Sequence, residues 1–235
     1  MITFKSIASS SKGNAYTLTS PGAAPLLIEA GLPIRQLRER IGFSLSGYAG
    51  CIVSHEHGDH AKGVKDLLKA GVDCWMSSGT AQALDVFGHH RTNLIHTGER
   101  HHVGPWGVTA FALAHDAAEP LGFLVSLGDD RLLFVPDTAY IETGFFGVTI
   151  AALECNHVGD ILDENVRIGR VDASLADRIR RSHMSLEGMI RMLKANDLGR
   201  CRQIYLLHLS DANSDEQRMK LEVQAACGIP VEVCQ

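Results

Sequence analysis

The chain has 235 residues, with 45% hydrophobic and 21% charged residues, which excludes a disordered chain, a coiled coil and a collagen-like repeat. The net charge of −5 excludes an overall basic nucleic-acid binder, though not a local basic patch. No apolar run reaches the roughly 18 residues of a membrane span. Met1-Ile2-Thr3-Phe4-Lys5 has neither the basic nor the apolar region of a signal peptide. Six cysteines without a C-x-x-C pair read as reduced thiols, so a cytoplasmic protein is expected. With no repeat, low-complexity tract or Pro/Ser linker, the expectation is a single domain, 1–235.

In chain order, an N-terminal strand leads through a polar loop, Ala8 to Asn14, into a strand over Ala15 to Thr19. Leu26 to Glu29 follows as a short strand. Arg35 to Ile41 reads as an amphipathic helix, with Leu37 and Ile41 four apart. Gly50 to Ser54 is an apolar strand that runs straight into His55. Val64 to Ala70 is helical and Val72 to Met76 a strand. Ser78 is expected to cap a helix ending near Phe87 and Gly88. Val108 to Ala114 is a strand ending at His115. Leu121 to Leu127 and Arg131 to Val135 read as a hairpin whose second arm ends at Asp137. Val148 to Leu153 is a strand ending near Asn156 and His157. Helices over Ala173 to Arg181 and Ser185 to Asn196 follow. Gln203 to Leu207 is a strand ending at His208, Ser214 to Cys227 a helix, and Val231 to Cys234 a last strand. Five apolar strands thus end at or near His or Asp, and open α/β sheets place their ligands at such an edge.

Histidine is the outlier, with twelve residues. His55-Glu56-His57-Gly58-Asp59-His60 packs four metal donors into six residues. Residues two apart in an extended segment point to the same side, so His55 and His57 can grip one ion. Gly58 allows a sharp turn, after which Asp59 and His60 can face a second. Imidazole suits zinc, and carboxylates widen the choice to manganese or iron. His115, Asp137 and His208 each close an apolar strand and complete the donors. His55, His57 and His115 form one set, Asp59, His60 and His208 the other, with Asp137 as the bridge. Two ions about 3.5–4 Å apart polarise a shared water and clamp the attacking and leaving oxygens. His89, His90, His96, His101 and His102 read as surface loop or strand residues, and Cys155 as a buried inert thiol.

The string resembles the H-x-H-x-D-H signature of metallo-β-lactamase-fold metallohydrolases, and His115, Asp137 and His208 follow in that family's ligand order. The resemblance implies an α/β fold, an αββα four-layer sandwich with a dinuclear zinc or manganese site at one edge. Ala8-Ser9-Ser10-Ser11-Lys12-Gly13-Asn14-Ala15 is similar to the S-G-S-x-G-N loop of the YycJ/WalJ-like exonuclease branch, with Ser10 where the branch has Gly. Leu153-Glu154-Cys155-Asn156-His157 is similar to its E-x-N-H segment. His183-Met184-Ser185 and Tyr205 to Ser210 resemble the C-terminal half of this branch and of tRNase Z, in which a His sits beside the scissile phosphate. Asp137 separates the chain from zinc β-lactamases that carry a Cys in the second site, and His57 from flavodiiron relatives that carry Glu.

The expected function is metal-dependent phosphodiester hydrolysis on DNA ends or single strands. Asp59 orients the water, His183 is the general acid, and Asn14, Asn156 and His157 contact the substrate. From Asn165 to Tyr205 nine basic residues stand against four acids, a charge that suits a polyanion and equally a solvated helical face. Two other readings are a phosphodiesterase for a small cyclic nucleotide and a non-catalytic, metal-stabilised nucleic-acid-binding module.

Overall fold

Short apolar runs become strands and the amphipathic segments become helices, in a computed structural model that describes residues 1–142 and 144–235. The chain divides into two units. Unit one comprises Met1–Ala112, Ala117–Arg131 and Gln235. Unit two comprises Leu113–Asp116 and Leu132–Cys234.

In unit one, β1 (Thr3–Ala8), β2 (Ala15–Ser20) and β3 (Ala23–Ile28) form an antiparallel meander. β4 (Gly50–Ile52), β5 (Cys74–Met76) and β6 (Thr92–Leu94) continue the sheet in parallel. The antiparallel strands need only tight turns, whereas each parallel step needs a crossover. The crossovers carry α1 (Ile34–Arg40), α2 (Gly58–Ala61), α3 (Val64–Lys69) and α4 (Ser78–Ala83). Leu37 of α1, Val64 and Leu67 of α3 and Met76 of β5 share one core with Leu27 and Val53. Each such side chain, fully buried, contributes about 1.5–3 kcal/mol. β7 (Arg100–Val103), β8 (Trp106–Ala112) and β9 (Leu121–Leu127) make an antiparallel ribbon in the same unit.

Several local expectations shift. Ser77, not Ser78, caps α4 by accepting from Thr80 N, and the helix ends at Ala83 rather than near Phe87. His101 and His102 lie on strand β7, which the sequence reading missed along with β6, because neither run is apolar. Gly58 opens helix α2 and does not take a left-handed turn.

In unit two, β10 (Asp130–Val135, in this unit from Leu132 on), β11 (Ile150–Glu154), β12 (Gln203–Leu207) and β13 (Val231–Val233) run parallel. Val135 pairs with Leu153, and Leu153 with Leu206. The three strands therefore end in step, and the residues after them share one edge. α5 (Gly159–Arg167), α6 (Ala173–Ser182), α7 (Leu186–Ala195) and α8 (Glu216–Cys227) complete the unit. Asp172, Ser185 and Asp215 accept from Ser174 N, Gly188 N and Arg218 N as N-caps, each contribution being about 0.5–2 kcal/mol. α5 was not expected: its acidic run buries only Leu162 and Asn165, which leaves little apolar periodicity to read. Among the described residues no helix is long and apolar enough to cross a membrane.

Gly31 is required by a close backbone approach. A Cβ there would stand 1.6 Å from Asp59 O, whereas a Cβ on Gly58 would meet nothing within 4 Å. Gly31→Ala is expected to lower stability to urea by about 1–3 kcal/mol or more through overpacking. Gly58→Ala, in a helix, is expected to raise it by up to about 1 kcal/mol. Equal unfolding midpoints for the two variants would contradict this placement.

Candidate metal centre

The donor string in unit one begins beyond β4. The chain stays extended to His57, which is the N-cap of α2, and then turns helical through Asp59 and His60. This change of conformation gathers the rings: His55 lies 4.8 Å from His57 and 4.2 Å from His60 between centroids. Ser54 Oγ and His55 Nδ1 share a 2.8 Å hydrogen bond, which orients the His55 ring. His60 sits between carboxylates, with Nε2 3.4 Å from Asp59 Oδ2 and Nδ1 3.6 Å from Glu29 Oε2.

Two residues hold this string from behind. Asn14, expected at the substrate, is 0% exposed. Its Nδ2 donates to Asp59 O at 3.3 Å and Asp59 Oδ2 at 3.4 Å and lies 3.2 Å from His60 Nε2. Its Oδ1 accepts from Ser10 N and the Tyr16 hydroxyl, both at 3.1 Å. The amide thereby ties helix α2, which carries Asp59 and His60, to the loop before β2. Glu29, which the sequence reading passed over, is fully buried and accepts from Ser54 N at 3.2 Å. Burial pushes its carboxyl pKa up, and His60 and Ser54 offset only part of that. Glu29 stands in the left-handed region at φ +64°. Glu56, within the string, accepts from Ala118 N at 2.7 Å, three residues beyond His115 in the chain.

The in-step strand ends of unit two place Asp137 just past β10, Glu154 at the end of β11 and His208 just past β12. Donor atoms of Asp137, Glu154, His183 and His208 all lie within 4.8 Å of one another. His208 Nδ1 is 2.6 Å from Asp137 Oδ1. His183, the C-cap of α6, bonds Glu154 Oε1 through Nδ1 at 2.5 Å. Glu154 Oε2 accepts from Thr138 N at 2.8 Å and Met184 N at 3.1 Å. His115 Nδ1 bonds Ser182 O at 2.7 Å, and its Nε2 lies 3.8 Å from Asp137 Oδ2.

Charges here are mutually dependent. Burial works against the Glu154 carboxylate, yet His183 beside it holds its pKa below the usual value. Burial likewise opposes protonation of His183, but Glu154 and then Asp137 raise its pKa. His115 goes the other way: burial lowers it, and Asp137 only partly compensates. Buried carboxylates among imidazoles are the donor chemistry of a first-row divalent ion such as zinc or manganese, and both units present it.

The remaining expected residues sit behind or beside these donors. Asn156 donates from Nδ2 to His208 O at 3.1 Å, so it holds the backbone of that residue. His157 is 3% exposed, and its buried Nδ1 has no hydrogen-bond partner among the described residues. Burial lowers its pKa. The Cys155 thiol is buried and its pKa pushed far up by that burial, which fits the inert role expected. In the basic segment, Arg178 pairs with Asp116 at 2.7 Å and Arg180 with Asp163 at 2.5 Å. These two of its nine basic residues are thus met by acids. Glu154, quoted from the sequence only within the E-x-N-H segment, and Glu29 are the buried carboxylates to which sequence reasoning gave no role. The available signal was a carboxylate closing an otherwise apolar strand, the same signal that singled out Asp137.

A family profile described as a beta-lactamase superfamily domain matches residues 25–209. The chain belongs to the metallo-β-lactamase superfamily. As a member it is a metal-dependent hydrolase. It is 28% identical over 249 residues to exodeoxyribonuclease WalJ of Streptococcus pneumoniae serotype 2, covering 96% of this chain and 90% of that protein. The metallo-β-lactamase-fold protein YhfI of Bacillus subtilis superposes with a TM-score of 0.76 at 15% identity, covering 100% of this chain and 96% of that one. Zn²⁺-bound PqqB of Methylobacterium extorquens gives 0.71 at 15% identity, covering 100% and 98%. The superfamily fold expected from the resemblance is thus the fold of this chain, with two mixed sheets and flanking helices.

Asn14→Ala removes the side-chain acceptor of Ser10 N, one partner of the Tyr16 hydroxyl and the Nδ2 donor to Asp59, while the backbone N–H of residue 14 keeps its 2.7 Å bond to Asp59 O. Calorimetric unfolding is expected to show a loss of about 1–3 kcal/mol. Titration with Zn²⁺ or Mn²⁺ is expected to show affinity weaker by about 10–100-fold, the usual effect of removing a group that orients a ligand. Unchanged metal affinity would show that Asn14 does not position Asp59 and His60.

Proposed function

We propose that this superfamily hydrolase is an exonuclease that hydrolyses phosphodiester bonds of DNA at single strands or ends. The observation that carries the reading is the His183–Glu154 pair beside Asp137 and His208, a proton donor placed among metal donors. DNA as the substrate is supported by the similarity to the pneumococcal exodeoxyribonuclease along nearly the whole chain. The six free thiols suit a reducing compartment such as the cytoplasm, and this supports a cytoplasmic activity.

In this reading the chain works as one domain, 1–235. His55, His57 and His115 would hold one ion and Asp59, His60 and His208 the other, with Asp137 as a donor available to both. Zinc is supported by the Zn²⁺-bound PqqB structure, and manganese suits the carboxylates. When bound, the ions supply Lewis acidity toward the phosphate oxygens. Hydrolysis adds water across a P–O bond, so the attacking water loses a proton and the leaving alkoxide gains one. Asp59 orients the water. His183 delivers the proton to the alkoxide, while Glu154 holds the opposite ring nitrogen and fixes the ring's orientation. His157 and Asn156 bind the phosphate, His157 through a side chain whose Nδ1 has no hydrogen-bond partner among the described residues.

A metal-supplemented assay against single-stranded DNA, double-stranded DNA, RNA and cyclic nucleotides tests the substrate class. Turnover confined to cyclic nucleotides would overturn the exonuclease reading. Elemental analysis is expected to find up to two transition-metal ions per chain, and Asp137→Ala to abolish hydrolysis while the fold persists by circular dichroism. His183→Ala is expected to lower turnover on DNA by about 10²–10⁴-fold with metal content retained. A nitrophenyl phosphodiester, whose leaving group needs little protonation, should recover most of that rate. Equal losses on both substrates would remove His183 from the acid role.

A further inference from the structure

We propose that Tyr140 is a stacking platform for an unpaired base of single-stranded DNA, held next to the phosphate that is hydrolysed. The proposal rests on the exonuclease reading and names how that site selects its strand.

The Tyr140 ring is 55% exposed, yet its backbone is pinned within unit two. It lies three residues beyond Asp137, so the two Cα atoms are at most about 11 Å apart. Thr138 between them donates from N to Glu154 Oε2 at 2.8 Å and from Oγ1 to Tyr140 O at 2.8 Å. Ala139 N donates to Ala114 O at 2.9 Å, and Ala114 N donates to Thr138 Oγ1 at 3.0 Å. Ala114 immediately precedes His115. The turn that presents Tyr140 is therefore tied on one side to the residue before His115 and on the other to Glu154. Phe145 N donates to Asn196 Oδ1 at 2.8 Å. Phe146 after it is 71% exposed.

An aromatic ring held in solvent on a rigid turn offers a π-face at low ordering cost. Any base can stack on it, and an unpaired base does so without breaking its stack in a duplex. The bound of about 11 Å between the Asp137 and Tyr140 Cα atoms keeps the ring in the neighbourhood of a phosphate held at Asp137. The base of a nucleotide flanking the scissile phosphate is the one that can meet this ring.

The test uses the full chain loaded with Mn²⁺, as wild type, Tyr140→Ala and Tyr140→Phe. Affinity for a dye-labelled, phosphorothioate-linked single-stranded oligodeoxynucleotide is read by fluorescence anisotropy. KM and kcat are read on the unmodified strand and on a nitrophenyl phosphodiester. Tyr140→Ala is expected to weaken binding and raise KM on the strand by about 5–150-fold, the effect of losing one stacked base. Its loss on the strand is expected to exceed its loss on the nitrophenyl ester by the same factor. Tyr140→Phe, which keeps the ring face, is expected to restore both. Wild-type affinity in Tyr140→Ala overturns the stacking role, as does failure of Tyr140→Phe to rescue or an equal loss on both substrates. Wild-type protein that neither binds nor cleaves the strand overturns this proposal and the exonuclease reading together. A wild type that cleaves while Tyr140→Ala keeps its KM overturns the stacking role alone.

Discussion

A fully buried carboxylate organises the donor edge of unit two. Glu154 ends an apolar strand at 0% exposure, where an uncompensated charge would be costly by about 3–5 kcal/mol. Its compensation comes through three contacts from two segments: Thr138 N from the segment after β10, and Met184 N with the adjacent His183 ring from the link between α6 and α7. Satisfying one side chain thus ties both segments to the end of β11. The in-step register of β10, β11 and β12 makes this possible, because it ends the three strands at one level.

Unit one solves the same problem with an amide and a second carboxylate. Asn14 reaches across to Asp59 and His60, and Glu29 bonds Ser54 N and faces His60. The close approach of Gly31 to Asp59 O leaves no room for a side chain there. Glu29 and His208 share a further feature. Each is the first residue past a strand, and each takes a left-handed backbone, at φ +64° and +53°. Such a conformation in a non-glycine residue is strained by about 1–3 kcal/mol and persists where the surroundings over-determine it. Here it turns the side chain toward the donor group at the point where the strand stops.

The electrostatic character of the basic segment looks different in three dimensions. Arg178 and Arg180 meet Asp116, Asp163 and Asp177 on the surface. Such exposed pairs are screened by salt.

The sequence by itself determined the local chemistry. Four donors within six residues are legible because they are neighbours in the chain. Apolar strands closing on His115, Asp137 and His208 are legible because the run and its polar end are contiguous. The helices with Ser or Asp caps and clear periodicity were equally readable. Which partner each buried polar group finds was decided only by the tertiary structure. Glu154 and His183 are 29 residues apart, and Asn14 and His60 are 46 apart. No local pattern links them. α5 escaped for a related reason: its place depends on packing around Leu162 with Val171 and Ala176 rather than on a stripe of its own. Adjacent residues can announce a donor set, but the groups that hold it in register are recruited across the fold, where burial and strand register choose them.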